Sequence, residues 1–189
     1  MSCDEMTSST ALPWRRFWDL ISTPELPALG PEPRRSRRPL AEVEVLVSGF
    51  VGDRAQSASL ETLLRSAALL WHDHLEESHA ISQSIDTPDG SFLHGIMHRR
   101  EPDYGNAKYW FRRVGIHPAF PDIQALVAET LKATRQETLL HQLCPGGRWD
   151  PFAFIDACQD ARNAGQETVL RQVQAREFEG LLADFFRRH

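Results

Sequence analysis

The chain has 189 residues, a formal net charge of −5, 41% hydrophobic residues and 25% charged residues, the make-up of one compact globular domain. No stretch approaches the roughly 18 apolar residues of a membrane span, and the acidic balance argues against a non-specific nucleic-acid coat. Cys3, Cys144 and Cys158 show no CxxC spacing, and Met1 to Leu12 carries Asp4 and Glu5 without a long apolar run. The expectation is a reduced, cytoplasmic protein with no membrane or nucleic-acid partner.

Residues 1–40 read as a peripheral segment and linker, and residues 41–189 as a helical domain. Pro13 to Leu20 places Trp14, Phe17 and Trp18 at helical spacing. Thr23 to Pro39 holds five prolines and the run Arg34-Arg35-Ser36-Arg37-Arg38, the composition of an extended, mobile, solvated linker. Leu40 to Phe50 alternates like a strand but also opens like a helix. Ser57 and Ser59 offer N-caps to a segment that runs towards Ile85 without Gly or Pro. Shorter helices are expected at 91–100 and 106–114, the latter capped by Asn106. A long helix is expected from Pro121 to Leu143, and two more after Pro151 and Gly165. The fold expected is an all-α, single-domain bundle of about six to seven helices, whose apolar terminal helices could support a homodimer.

Five of the eight histidines fall within residues 72–98. On a continuous helix from Ser59 to Ile85, His72, Glu76, His79 and Gln83 share one polar line beside the apolar stripe, while His74 and Ser78 point into that stripe and need partners there. His94 and His98 stand one turn apart, with Glu101 following. If the two helices pack antiparallel, His72, Glu76, His79, His94 and His98 can converge on one ion. Imidazole and carboxylate donors suit zinc, iron or manganese and leave a position open for water. Asp73, Glu77 or Glu101 can orient the rings, and Glu76 or Glu77 can act as general base. Gly95 stands where an HExxH peptidase has its glutamate, and no second ExxH supports a diiron bundle. The spacing is similar to that of helical DinB-like proteins, which bind a metal through three histidines, two of them in an HxxxH pair. The bland alternative is a set of surface and hydrogen-bonding histidines.

Residues 98–118 add an arginine–aromatic block. Arg99, Arg100, Lys108, Arg112 and Arg113 suit a phosphate or carboxylate, with Trp110 offering a stacking face. Equally, Trp110, Phe111 and Val114 can be core while the arginines pair with Glu76, Glu77, Glu101 and Asp103.

The runs Trp71-His72-Asp73-His74-Leu75-Glu76-Glu77-Ser78-His79, Asp89-Gly90-Ser91 and His94-Gly95-Ile96-Met97-His98-Arg99-Arg100-Glu101 continue through Asn106 to Gly115 and His117-Pro118. Together with Trp149-Asp150-Pro151 they resemble an uncharacterised family of bacterial and fungal proteins, over about residues 60–185. The resemblance implies that the His-rich and Arg–aromatic blocks belong to one domain. It implies no reaction or ligand. The functional expectation is a metal-dependent, hydrolase-like enzyme acting on a small anionic substrate, and the alternative is a non-catalytic binding module that uses the same pocket without metal.

Overall fold

The computed structural model describes residues 12–52 and 57–189, and these contain ten α-helices, one 3-10 turn and no strand. In chain order the helices are α1 (Pro13–Ile21), α2 (Leu40–Gly52), α3 (Ala58–Trp71), α4 (Leu75–Ser82) and α5 (Pro88–Arg100), followed by α6 (Tyr104–Val114), α7 (Phe120–Ala133), α8 (Glu137–Leu143), α9 (Pro151–Gln159) and α10 (Ala164–Arg188). The all-α expectation holds. The expected six to seven helices are an undercount, because two long segments are broken where neither glycine nor proline marks a stop.

The first break separates α3 from α4. The chain leaves the helix at His72, and Asp73 adopts φ 63°, a left-handed conformation that Asp tolerates better than most residues. Its carboxylate accepts from the Arg34 backbone N–H (3.1 Å) and pairs with Arg100 (2.8 Å), so contacts distant in sequence hold the kink. The second break, between α7 and α8, falls at Arg135 (φ 56°), where the Gln136 N–H turns back to the Leu131 carbonyl at 2.8 Å. The ambiguous Leu40–Phe50 stretch is helical, with Val43, Val47 and Val51 buried on one face.

Helix α5 lies at the centre, buried from Asp89 to Arg100 and packed against α3, α4 and α6. A buried helix carrying His94, His98, Arg99 and Arg100 must find partners for all four, and these partners organise the molecule. Gly95 lets α6 approach: a Cβ there would stand 2.8 Å from the Phe111 ring. That packing accounts for the glycine inside the HxxxH pair. Helix α10 closes the core against α7 with Leu170, Val173, Phe178, Leu181, Leu182 and Phe185. At Gly180 an added Cβ would meet Ile123 Cγ1 at 2.6 Å and the Ile123 backbone nitrogen at 3.0 Å. Gly180→Ala is therefore expected to cost about 1–3 kcal/mol through overpacking. A denaturation midpoint equal to that of the wild type would refute so close an approach.

Residues 22–39 contain no helix, as expected, but they do not form a free linker. Arg34 is buried, its guanidinium donating to the Trp71 and Glu25 carbonyls and meeting the Asp73 carboxylate at 3.2 Å. Gln174 on α10 donates to the Ala28 carbonyl (3.2 Å), and Phe17 and Ile21 of α1 belong to the common core. The composition suggests a solvated chain, whereas one buried arginine and a run of carbonyl contacts fix this segment as a strap.

Candidate metal centre

The break at Asp73 and the packing of α4 on α5 bring three imidazoles together. His79 on α4 and His94 and His98 on α5 each offer one ring nitrogen, and these atoms lie within 4.8 Å of one another. His94 Nε2 and His98 Nε2 are 2.9 Å apart, as the i, i+4 spacing allows. The His79 ring meets the other two edge to face, with centroids at 4.6 and 5.3 Å. Outside the trio, Glu101 Oε2 stands 3.3 Å from His98 Nδ1, the arrangement in which a carboxylate fixes the tautomer and frees Nε2. Trp110 stacks on His94 at 3.9 Å between centroids, and Arg113 lies over the Trp110 ring at 5.2 Å.

Burial pushes the His94 pKa down to about 3, helped by His98 and His79 nearby. His98 is also lowered, chiefly by burial, against the opposing charge of Glu101. Both rings are neutral at pH 7, the form that coordinates a metal. His79 is half-buried, so the trio is reachable from one side.

Of the five expected metal ligands, the structure gathers three. His72 is fully buried at the end of α3, where its Nδ1 accepts from the Arg38 backbone N–H at 3.3 Å. The helix break turns it off the line through Glu76 and His79. Glu76 is exposed and Glu77 half-buried, and neither belongs to the trio. His74 and Ser78 find the partners they need in the Arg38 carbonyl (2.9 Å) and the Ser66 carbonyl (3.0 Å).

The arginine block divides. Arg99 is 1% exposed and pairs with Glu177 at 2.5 Å beneath the Phe154 ring, while Arg100 is wholly buried against Asp73 and the Leu70 carbonyl. Lys108 pairs with Asp156. All three pair with acids, but with Glu177, Asp73 and Asp156 and not with Glu76, Glu77, Glu101 or Asp103 as the alternative reading expects, and Trp110 is half-buried where that reading puts it in the core. Arg112 and Arg113 are exposed on α6, Arg113 beside Asp86 at 3.0 Å. Asn106 was read from the sequence as a cap, but Asp103 fills that role, accepting from the Asn106 N–H at 3.1 Å. The Asn106 side chain instead reaches His98 Nε2 at 3.1 Å. Only the i+3 spacing from Asp103, a competing cap, hinted that its amide was free.

A second group, Asp89, His117 and Asp184, also brings ligand atoms within 4.8 Å of one another. Its donors are already occupied. His117 Nδ1 accepts from the Ala119 N–H (3.1 Å), its Nε2 meets Asp89 at 2.9 Å, and Arg188 bridges both carboxylates. This cluster ties the end of α10 to the first turn of α5.

Fold and site thus define an all-helical protein with a tri-histidine cluster, closely enough spaced to hold a metal ion, between α4 and α5. Set against protein families, curated proteins and solved structures, the chain matches none, so the site is read from its own geometry. Among the described residues no helix is long and apolar enough to cross a membrane.

Proposed function

We propose that this protein is a metal-dependent enzyme of the hydrolase type, holding a divalent zinc, iron or manganese ion through His79, His94 and His98. The observation that supports this reading is the convergence of three imidazole nitrogens within 4.8 Å, two of them on rings kept neutral by burial. Three protein donors leave positions open for water and substrate. A divalent ion there supplies a Lewis acid and makes water acidic enough to lose a proton near neutral pH. Glu101 holds the His98 ring, and Asn106 offers its amide at the same edge. Of the expected bases, Glu76 at i−3 shares the face of α4 that carries His79, whereas Glu77 at i−2 lies off that face. Arg113, with Trp110 between it and His94, would hold the anionic part of a small substrate, with Arg112 beside it on α6.

The test is elemental analysis of untagged protein purified without chelator, beside the His94→Ala/His98→Ala variant, with folding followed by circular dichroism. About one transition metal per wild-type chain is expected, with none in a folded variant. Equal metal in both, or none in the wild type after reconstitution, overturns the reading. If no metal binds and ligand stabilisation depends on Trp110, Arg112 and Arg113, the protein is instead a non-catalytic binding module.

A further inference from the structure

A different face of α5 carries an excess of buried positive charge. Arg34, Arg99 and Arg100 are buried, and Arg171 of α10 lies near enough for its charge to oppose those of Arg34 and Arg100. Among the described residues two buried carboxylates face these four guanidinium groups, Asp73 pairing with Arg34 and Arg100 and Glu177 with Arg99. Arg171 makes no hydrogen bond or ion pair with any described residue, and its Nε is shielded from water. It lines a cavity of about 240 Å³ together with Tyr104, Cys158, the Gly30 backbone of the strap, and Glu32 and Glu167 at the rim. The Tyr104 hydroxyl also makes no hydrogen bond within the described fold. Burial pushes the Tyr104 pKa up, so its hydroxyl stays protonated and able to donate. Burial likewise pushes the Cys158 thiol up to about 12, so it adds no negative charge to the cavity. Arg99 stands behind both residues, close enough for its charge to act on each.

Two unspent donors, one of them a guanidinium, therefore share one cavity backed by surplus positive charge. We propose that this cavity binds a small oxyanion, a carboxylate or phosphate group, held by the Arg171 fork and the Tyr104 hydroxyl. A planar guanidinium pairs with two oxygens at once, and desolvation strengthens the contact. Glu32 and Glu167 are exposed at the rim and repel negative charge that extends outwards. The site therefore selects a ligand whose anionic group enters first and whose remainder is neutral or cationic. The cavity exceeds the size of a bare oxyanion, leaving room for a short organic tail.

The experiment titrates acetate, glycine and inorganic phosphate into the full chain at constant ionic strength set with sodium chloride, following the melting temperature. At least one probe is expected to raise it saturably by several degrees, as a ligand bound only to the folded state does. Glycine or acetate acting without phosphate identifies a carboxylate ligand, and the reverse identifies a phosphate. Arg171→Gln is expected to abolish the shift, and Tyr104→Phe, which removes only a hydroxyl, to weaken binding about tenfold, near the value of one hydrogen bond to a charged group. The proposal is overturned if no probe acts, if chloride alone gives the same shift, or if Tyr104→Phe binds unchanged. A shift that persists in folded Arg171→Gln overturns it too. Should Arg171→Gln fail to fold, the Tyr104→Phe comparison decides alone.

Discussion

Replacing Asp73 by Asn is expected to destabilise the protein by about 3–5 kcal/mol, the largest loss for any single neutralisation in this fold. Its carboxylate serves Arg34 at 3.2 Å and Arg100 at 2.8 Å, and all three side chains are at most 3% exposed. Neutralising it leaves two buried guanidinium groups without their counter-ion, in a region where Arg99 and Arg171 already add positive charge. Asn tolerates the left-handed backbone at this position, so the loss reports charge and not strain. Because Arg34 anchors the strap, residues 22–39 should become sensitive to protease at denaturant concentrations that leave the core folded. Glu42→Gln serves as the control, since its pair with Arg38 is exposed and pairs of that kind contribute about 1 kcal/mol or less. Urea unfolding of the two variants makes the comparison. A loss below about 1 kcal/mol for Asp73→Asn would mean that the arginines find other acceptors, and the electrostatic account of the kink would fail.

The same residue explains where the sequence is legible and where it is not. Stops carried by local chemistry are plain: Ser57 caps α3 by accepting from the Leu60 N–H at 3.2 Å, and Pro145 and Pro151 begin their segments, whereas Pro88, which reads as part of a turn before a helix at Ser91, starts α5 three residues earlier under the Thr87 cap. The stop at His72–Asp73–His74 carries no such signal. Nothing in a window of 15 residues records that Arg34 and Arg100 will converge on one carboxylate. Helical phase is therefore reliable within α3 and within α4 but not across the kink, and this is why His72 falls away from His79. The closeness of His94 and His98 is legible because i, i+4 spacing survives inside one unbroken helix. His79 was legible because a five-residue turn brings α4 back against α5. The arginines mislead for a related reason: clustered guanidinium groups look the same in sequence whether they await a ligand or neutralise buried acids. Only three-dimensional burial separates Arg99 and Arg100, sunk against Glu177 and Asp73, from the exposed Arg112 and Arg113.

Buried imidazoles should also make the fold acid-labile above the range in which carboxylates titrate. Burial, then the charges of Arg34 and Arg38, lowers His72 to about 4, and burial, then His98 and His79, lowers His94 to about 3. In the unfolded chain both titrate near the ordinary histidine value of about 6.5. Above that pH neither state holds the proton and the histidines leave stability unchanged. Below it the unfolded chain takes up protons that the folded one refuses, so stability falls as pH falls from about 6.5 towards the folded values. By pH 4.5 the two groups together should remove roughly 4–6 kcal/mol, about 1.4 kcal/mol per pH unit for each. Asp89, held well below the usual carboxylate range by His117 and Arg188 against the opposing effect of burial, loses its contribution only at lower pH. Urea unfolding from pH 7.5 to 4.5 in the presence of chelator measures the proton effect without metal, and its part between pH 6.5 and 5.5 lies above the carboxylate range. A flat profile there would show that the buried rings take up protons without disturbing the fold. Repeating the series with one equivalent of zinc separates the two histidines, because zinc bound to the folded centre stabilises it through His94 but not through His72. A zinc-dependent gain in stability at pH 7.5 that disappears in His94→Ala but persists in His72→Gln is the result expected if the centre lies between α4 and α5.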